Sequence, residues 1–225
     1  MIIGNGLIAN LFREKDRENV VFFASGVSNS LETDKTAFLR EENLIRKTIK
    51  ENPNKIFIYF STCSIYDSSK NGSSYVNHKL KMEQIVEELA NQFLILRVSN
   101  AVGKGGNPNL LMNYLVNAFH QEKEITVHTL ATRNLIDADD VKNITLKFIN
   151  ENSFNKIINV AYLENFSTKE ILEILEKHFN KTAKTSLVKS GQSYLISIPE
   201  AEAYFAENKL TEKKEYLLRI IKRYY

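Results

Sequence analysis

A hydroxyl-rich strand end followed by a tyrosine and a lysine is the part of the sequence whose chemistry is most suggestive. Tyr75 and Lys79 stand at positions i and i+4, so on a helix they share one face. An ammonium group beside a phenol favours the phenolate, which can then exchange a proton with a carbinol or a carbonyl. Thr62, at the end of an apolar run, supplies a hydroxyl for the same oxygen. The spacing therefore favours proton transfer at such a group, although an exposed surface helix carries the same spacing without function.

A glycine motif stands at the start of the chain. Gly4-Asn5-Gly6-Leu7-Ile8-Ala9 reads G-x-G-x-x-A between a short apolar run and a helical pattern. Such glycines let the backbone approach a pyrophosphate, which the following helix N-terminus attracts, but an ordinary strand-to-helix turn has the same pattern. A dinucleotide fold normally adds an acidic residue about 20 positions further on, where Phe23–Ser28 offers hydroxyls and a glycine. The motif predicts phosphate binding and leaves adenosine recognition open.

Strand-like and helix-like runs alternate along the chain, which predicts a parallel sheet covered by helices. The candidate strands are short and apolar, as strands buried on both faces should be. They are Met1–Ile3, Val20–Ala24, Lys55–Phe60, Phe93–Val98 and Lys156–Val160. No linker divides the chain, so we predict one Rossmann-like, doubly wound α/β domain over residues 1–225. A small interleaved substrate-binding lobe is expected mainly from about residues 103–135 and 161–225.

Composition and charge argue against several classes of protein. The 225 residues are 43% hydrophobic, and cations are interspersed with anions to a formal net charge of +3, which argues against a nucleic-acid partner. The single cysteine excludes an intramolecular disulfide and fits a reducing compartment. The four histidines show no metal-ligand spacing, and no apolar run is long enough to span a membrane. We therefore expect a cytoplasmic protein without a metal site or a membrane segment.

Several segments, in chain order, resemble extended short-chain dehydrogenases/reductases of the nucleotide-sugar epimerase, dehydratase and reductase group. The matching segments are Phe22–Ser28, Asn43, Ser61–Tyr66, Tyr75 with Lys79, Leu96–Gly103, Pro108–Met112 and Thr132–Val141. The resemblance implies a catalytic set of Asn43, Thr62, Tyr75 and Lys79. It also implies NAD or NADP as cofactor and a nucleotide-activated sugar as substrate.

The same resemblance assigns the binding residues. The cofactor residues are Gly4, Asn5, Gly6, Leu7, Ile8, Ala24, Ser25, Gly26, Tyr75, Lys79 and Val98. The substrate residues are Ser64, Asn100, Asn109, Leu110 and Arg133. Arg133 is expected to bind the substrate diphosphate, because a guanidinium fork suits phosphate oxygens. A structural ion pair between Arg133 and Asp137 is the alternative for that residue.

The sequence departs from the family in two places. Because the Gly motif and Val20 are close in sequence, the second and third strands and much of the adenosine side are absent if Phe22–Ser28 is the fourth-strand segment. The alternative makes Val20–Ala24 a true second strand, with Ser25 or Ser28 near the ribose. Cys63-Ser64 stands where dehydratases of the group carry Asp-Glu, which disfavours 4,6-dehydration.

Two functions remain open at this point. The first is an NAD(P)-dependent epimerase or ketoreductase acting on a nucleotide-activated sugar, in surface polysaccharide sugar biosynthesis. The second is a shortened, weakly active or inactive relative that binds sugar nucleotides as a partner or regulatory subunit. The resemblance also implies a homodimer through the helices around 36–50 and 75–91. The apolar stripe of the second helix could instead cover only its own sheet.

The remaining polar residues receive structural interpretations. His78 is expected to be exposed, and Cys63 to be a small buried filler. The pairs Glu87-Glu88 and Asp139-Asp140 are interpreted as solvated charge and a helix cap. The cations Arg219, Lys222 and Arg223 are placed on the solvated end of a last helix, with Tyr224-Tyr225 as a tail.

Overall fold

The computed structural model describes residues 1–105, 108 and 110–225. In chain order its strands and helices are β1 (Ile2–Ile3), α1 (Leu7–Leu11), β2 (Val20–Phe23), α2 (Lys35–Glu51), β3 (Ile56–Thr62), α3 (Ser74–Leu89), β4 (Phe93–Val98), β5 (Asn100–Val102), α4 (Leu111–His120), β6 (Ile125–His128), β7 (Thr132–Asp137), α5 (Ala138–Asn150), β8 (Lys156–Val160), β9 (Asn165–Ser167), α6 (Thr168–Phe179), β10 (Thr185–Val188), α7 (Pro199–Glu207) and α8 (Lys213–Tyr224). Short 3₁₀ turns occupy Arg13–Lys15, Cys63–Tyr66 and Ser68–Lys70.

A five-stranded parallel sheet forms the centre of the fold, in the order β1-β2-β3-β4-β8. Its members are the five runs that the sequence predicts as strands, within two residues at each end. The Rossmann-like α/β class is therefore confirmed. Every residue of β2 and β3 is buried, because helices cover both faces of the sheet.

Alternate residues of each strand enter two separate apolar cores. One core joins Phe22, Ile58 and Leu94 to α1 and α5, and it continues into the C-terminal residues. The other joins Val21, Tyr59 and Ile95 to α2 and α3. The α3 stripe of Met82, Ile85 and Val86 lies in this second core, so it packs against the protein's own sheet. Burial of the stripe accounts for its apolar residues without a dimer.

The connection from β1 to β2 has an unusual hand. The steps β1–β2, β2–β3 and β3–β4 all run in the same direction across the sheet. Helices α2 and α3 cover one face, whereas α1 packs against α5 on the other. The crossover through α1 therefore has the opposite hand to the two that follow it, although parallel crossovers are right-handed in nearly all proteins.

This reversed crossover bears on whether outer strands are missing. In a full doubly wound sheet the first helix leads to a strand on the far side of β1, and α1 lies on the face that such a connection requires. Here β1 has β2 as its only strand partner in the described part of the chain. The arrangement fits a chain that has lost its outer strands, and it does not fit Val20–Phe23 as an ordinary second strand.

The remaining elements lie mainly after β4. Strands β5, β7 and β9 form one small sheet, and β6 pairs with β10. Their apolar residues share one core with the central sheet, so no separate core marks a lobe. The substrate-binding lobe remains a proposal. No helix in the described residues is long and apolar enough to cross a membrane.

The C-terminal helix corrects three of the interpretations made from the sequence. Asp140 is buried and accepts hydrogen bonds from Tyr204 and Tyr216, and Asp137 is the residue that caps α5, so the pair Asp139-Asp140 is not the predicted helix cap. Arg219 is half-buried in an ion pair with the same carboxylate. Tyr224 donates to Asp137 at 2.6 Å, so the C-terminal tyrosines are not a free tail. Helix α8 packs against α6 and directs these side chains at the first turn of α5, which composition alone does not indicate.

Candidate active site

The predicted cofactor segments contact each other at the end of the first strands. Gly4 has φ +126°, and a Cβ there would lie 2.4 Å from the Ala24 carbonyl oxygen, so this close approach requires glycine. A Cβ on Gly6 would meet nothing within 4 Å. The loop is therefore closed against Ala24–Ser25 on one side and open beside Gly6, where a phosphate could approach the backbone.

An arginine that sequence reasoning missed lies beside this loop. Arg13 donates from Nη2 to Asn5 Oδ1 at 2.7 Å and from Nε to Asn10 Oδ1 at 2.7 Å. These two bonds hold an exposed cation next to the Gly motif. Leu7 and Ile8 are partly buried, and a Cβ on Gly103 would touch Leu7, so these two residues anchor α1.

The tyrosine and the lysine of the Y-x-x-x-K motif lie on the buried face of α3. The helix begins after Ser73, whose hydroxyl accepts from the Val76 backbone N–H and caps it. Tyr75 is 6% exposed and packs against Val27, and Lys79 is 2% exposed. The structure thus brings Tyr75 and Lys79 to one face, as the spacing predicts, beneath the segment that follows β2.

Lys79 is bonded to two neighbouring elements. Its Nζ donates to the Phe60 carbonyl oxygen at 3.1 Å and to Glu41 Oε1 at 3.1 Å, and it lies 4.4 Å from the centre of the Tyr59 ring. A Cβ on Gly26 would come within 2.9 Å of Nζ, so the backbone of the predicted cofactor segment lies directly over the ammonium. This contact links Ala24–Gly26 with the end of β3.

Thr62 ends β3 beside Val98 of β4, its partner in the sheet register. The Thr62 hydroxyl accepts from the Ser64 N–H at 3.0 Å and so caps the 3₁₀ turn that follows. Cys63 is buried, as predicted, and donates to the Arg97 carbonyl oxygen. Burial raises the pKa of its thiol to about 12, which keeps the sulfur protonated and unreactive.

Helix α2 presents a different residue to the site than the sequence predicts. Asn43 is exposed, whereas Glu41, two positions earlier and on the opposite face, is fully buried and pairs with Lys79. His78 is also buried, with Nε2 3.0 Å from Glu41 Oε2 and its ring 4.5 Å from that of Phe38, so its predicted exposure is wrong. The close packing of α2 on α3 explains both outcomes, since it widens the buried face of each helix.

A second buried ion pair lies one turn further along α3. Glu83 accepts from Nε and Nη2 of Arg97, the latter at 2.6 Å, and from the Ser61 hydroxyl. Tyr66 accepts from Arg97 at 3.4 Å and donates to Asn159. This network fixes the ends of β3 and β4 behind Thr62 and Val98.

The predicted substrate residues are spread over the following elements. Asn100 donates to the Asn134 carbonyl oxygen at 2.7 Å, and together with Leu110 and Tyr225 it lines a small pocket. Arg133 Nη1 donates to the backbone carbonyls of Thr132 and Gln192. Asn109 lies outside the described residues.

The alternative ion pair of Arg133 is not formed. Asp137 caps α5 and lies near Arg219 and Arg223, and in the described chain no carboxylate comes within ion-pair distance of Arg133. No group of three or more histidine, cysteine or acidic side chains that could hold a metal occurs in the described residues.

The described residues fit the pyrophosphate of a dinucleotide but offer no site for its adenosine. The open backbone beside Gly6 and the anchored Arg13 suit a pyrophosphate, whereas the Lys79 ammonium is buried beneath Gly26. The sheet ends at β1 in the described part of the chain, so no strand lies beyond it to carry an adenosine site. Fold and site together define a Rossmann-like protein with a short-chain-dehydrogenase type of Tyr/Lys arrangement.

Comparison with known proteins identifies the family. Residues 5–161 match the model of the NAD dependent epimerase/dehydratase family, so the chain belongs to that family. A search of curated protein sequences gave no significant match.

Solved structures share the fold at low sequence identity. UDP-glucuronic acid 4-epimerase from Bacillus cereus, in complex with UDP-glucuronic acid and NAD, is 19% identical at a TM-score of 0.68, over 96% of this chain and 79% of that one. MoeE5 in complex with UDP-glucose and NAD is 15% identical at 0.72, over 98% and 85%. UDP-glucose 4-epimerase from Bifidobacterium longum, in complex with NAD⁺ and UDP, is 16% identical at 0.69, over 97% and 82%. This chain therefore spans 79–85% of the length of these structures.

Proposed function

We propose that the protein is an NAD(P)-dependent epimerase or ketoreductase that acts on a nucleotide-activated sugar. The observation that carries the proposal is the bond from Lys79 to the Phe60 carbonyl oxygen, which joins the Y-x-x-x-K helix to the strand ending at Thr62. Family membership and the ligands named for the similar structures support the same class of reaction.

In the proposed reaction each side chain has one task. A bound nicotinamide supplies the hydride acceptor or donor. Tyr75 takes the proton of the sugar hydroxyl as the carbinol is oxidised, or returns it as the carbonyl is reduced. Lys79 stabilises the phenolate form through its charge, and the Thr62 hydroxyl bonds the same substrate oxygen. Ser64, Val98 and Asn43 stay in the proposed set, although the exposed Asn43 side chain points away from Lys79.

The substrate side of the proposal rests on Arg133. Its charge has no carboxylate partner in the described chain, and it stands at the start of β7 beside backbone carbonyls. A diphosphate is the ligand that a guanidinium fork suits best. Similar structures with UDP-glucuronic acid or UDP-glucose support a sugar nucleotide as that ligand. Surface polysaccharide sugar biosynthesis, a cytoplasmic location and a homodimer through α2 and α3 belong to the same proposal.

The test is binding and turnover with the purified protein. Calorimetry with NAD⁺, NADP⁺ and a panel of UDP-, GDP-, CDP- and dTDP-sugars should reveal one preferred nucleotide, and chromatography should reveal an isomerised or reduced sugar. Tyr75→Phe should lower turnover by about 10²–10⁴-fold while sugar-nucleotide binding persists. Tyr114→Phe, on the exposed face of α4, is the matched control. Tight binding without turnover in the unmodified protein would favour the regulatory alternative.

A further inference from the structure

A buried carboxylate that family membership does not assign lies at the centre of the site. Glu41 is fully buried on the face of α2 that packs against α3. It accepts four hydrogen bonds: from the Val27 N–H at 2.7 Å, Tyr59 Oη at 2.8 Å, His78 Nε2 at 3.0 Å and Lys79 Nζ at 3.1 Å. Three elements and the segment after β2 therefore meet at a single side chain.

The Glu41 carboxylate is held in its charged form. Burial opposes the charge, but the charge of Lys79 and the hydrogen bonds from His78, Val27 and Tyr59 outweigh it and lower the pKa to about 2. A buried anion is tolerated in a protein only when partners of this kind compensate its lost hydration. Glu41 is thus a permanent negative charge beside the ammonium.

The Lys79 ammonium is fixed by the same contact. Two of its three protons are directed at Glu41 and at the Phe60 carbonyl oxygen, and the backbone at Gly26 covers it. The Tyr59 ring of β3 lies against the ammonium, and Tyr75, His78 and Glu83 are the other titratable residues buried on the same helix as Lys79. Glu41, on α2, is the carboxylate that forms an ion pair with the ammonium.

We propose that Glu41 is a positioning residue that holds the Lys79 ammonium, charged and in place, one helical turn from Tyr75. Because Glu41 is enclosed, it acts through Lys79 and does not touch the substrate. A buried ammonium without a counter-ion gives up its proton more readily, and a neutral amine cannot stabilise a phenolate. The role rests on the proposed function, in which Tyr75 and Lys79 transfer the proton.

The first test compares two buried carboxylates on the pH dependence of kcat/KM. Glu41→Gln should lower kcat/KM and move the alkaline limb of its profile to lower pH by about one unit or more. Glu83→Gln is the matched control, since Glu83 is equally buried and paired, but with Arg97, which does not deprotonate in proteins. The Glu83→Gln variant should be less stable, but the acid and alkaline limbs of its kcat/KM profile should lie at the same pH as in the parent protein. Unchanged limbs in Glu41→Gln would overturn the proposal.

The second test needs no activity. Urea unfolding between pH 6 and 10 should show that the stability lost in Glu41→Gln is largest at low pH and shrinks as the pH rises, because the buried ammonium can then discharge. The double variant Glu41→Gln/Lys79→Met should remove this pH dependence, and it should fold even if the single variant does not. A double variant as unstable as the single one contradicts the positioning role. If the pH dependence is found in a protein that turns over no sugar nucleotide, the proposed function fails and the Glu41–Lys79 coupling stands.

Discussion

Arg133 stands out among the charged residues because no carboxylate of the described chain offsets it. Its bonds are to the backbone carbonyls of Thr132 and Gln192, so its removal disturbs little of the folded protein. Arg133→Ala should remove contacts worth roughly 2–4 kcal/mol once desolvated. Sugar-nucleotide binding should weaken by about thirtyfold to a thousandfold, with a melting temperature close to that of the parent protein.

Two measurements on the Arg133 variants separate binding from structure. Calorimetry gives the affinity, and differential scanning calorimetry gives the melting temperature of the free protein. Arg133→Lys keeps the charge without the fork and should fall between the parent and the alanine variant. A lowered melting temperature with an unchanged affinity would assign Arg133 to the fold.

Glu41 also makes a prediction about acid stability. Its pKa is lowered from an ordinary value of 4.5 to about 2, so the folded state binds this proton less readily than the unfolded chain. The stabilisation is complete above about pH 5 and is lost as the pH falls toward 2, and it amounts to roughly 2–4 kcal/mol. Urea unfolding between pH 5 and 3 should therefore show a steeper loss in the parent protein than in Glu41→Gln. The exposed Glu88→Gln should follow the parent; a parallel loss in all three proteins would show that Glu41 contributes nothing to acid stability.

Among single residues, the sequence predicts more of the candidate site than it explains. Tyr75, Lys79 and Thr62 were recognisable because helix periodicity and a strand end place them without knowledge of distant contacts. Glu41 was not, because a glutamate on a charged helix is usually solvated, and its partners come from Val27, Tyr59 and α3. Arg13 was missed although its anchors, Asn5 and Asn10, are close in sequence, because an exposed arginine is usually solvated and carries no pattern of its own.

Among the elements, α8 is joined to α5 by a buried polar cluster around Asp140. Its carboxylate accepts from Tyr204 at 2.8 Å, from Tyr216 at 2.8 Å and from Arg219 at 2.6 Å. Asp140→Ala leaves these three donors without their acceptor, which should cost about 3–5 kcal/mol of unfolding free energy.

Its neighbour supplies the control for that prediction. Asp139 lies in the same first turn of α5 and pairs on the surface with Lys142 and Arg223. Asp139→Ala loses a similar interaction with the helix dipole but should cost less than about 1 kcal/mol. Equal losses in urea unfolding of the two variants would mean that the buried cluster does not hold α8.

The sequence predicted the elements that are buried on both faces, the strands of the central sheet. The five central strands are mostly apolar, because helices cover both faces of the sheet, and such apolar runs can be recognised from the sequence alone. Strands β5, β9 and β10 are three or four residues long and carry no such run. Helix α7 was missed although it starts at Pro199, a residue favoured in the first turn of a helix.

For the whole molecule, the absence of a described strand beyond β1 predicts weak dinucleotide binding. Losing a carboxylate acceptor for the ribose removes roughly 1.5–3 kcal/mol, which weakens binding by about tenfold or more. NAD⁺ should bind more weakly than micromolar without a sugar nucleotide, and nicotinamide mononucleotide should bind nearly as well as NAD⁺. Calorimetry with NAD⁺, nicotinamide mononucleotide and AMP tests this. Sub-micromolar NAD⁺ binding would contradict it, unless the Ser25–Ser28 turn or a partner chain supplies the missing contacts.

The reversed crossover through α1 has a consequence for protein engineering. Since α1 already lies on the face from which an outward connection has the usual hand, the exposed turn between α1 and β2 is a natural insertion point. A strand–helix–strand unit from a longer family member, grafted there, could extend the sheet past β1 without displacing Thr62, Tyr75 or Lys79. In such a chimaera the grafted unit would add an adenosine site independently of the catalytic residues. The ratio of its NAD⁺ affinity to that of the parent protein would measure what the outer strands contribute to cofactor binding.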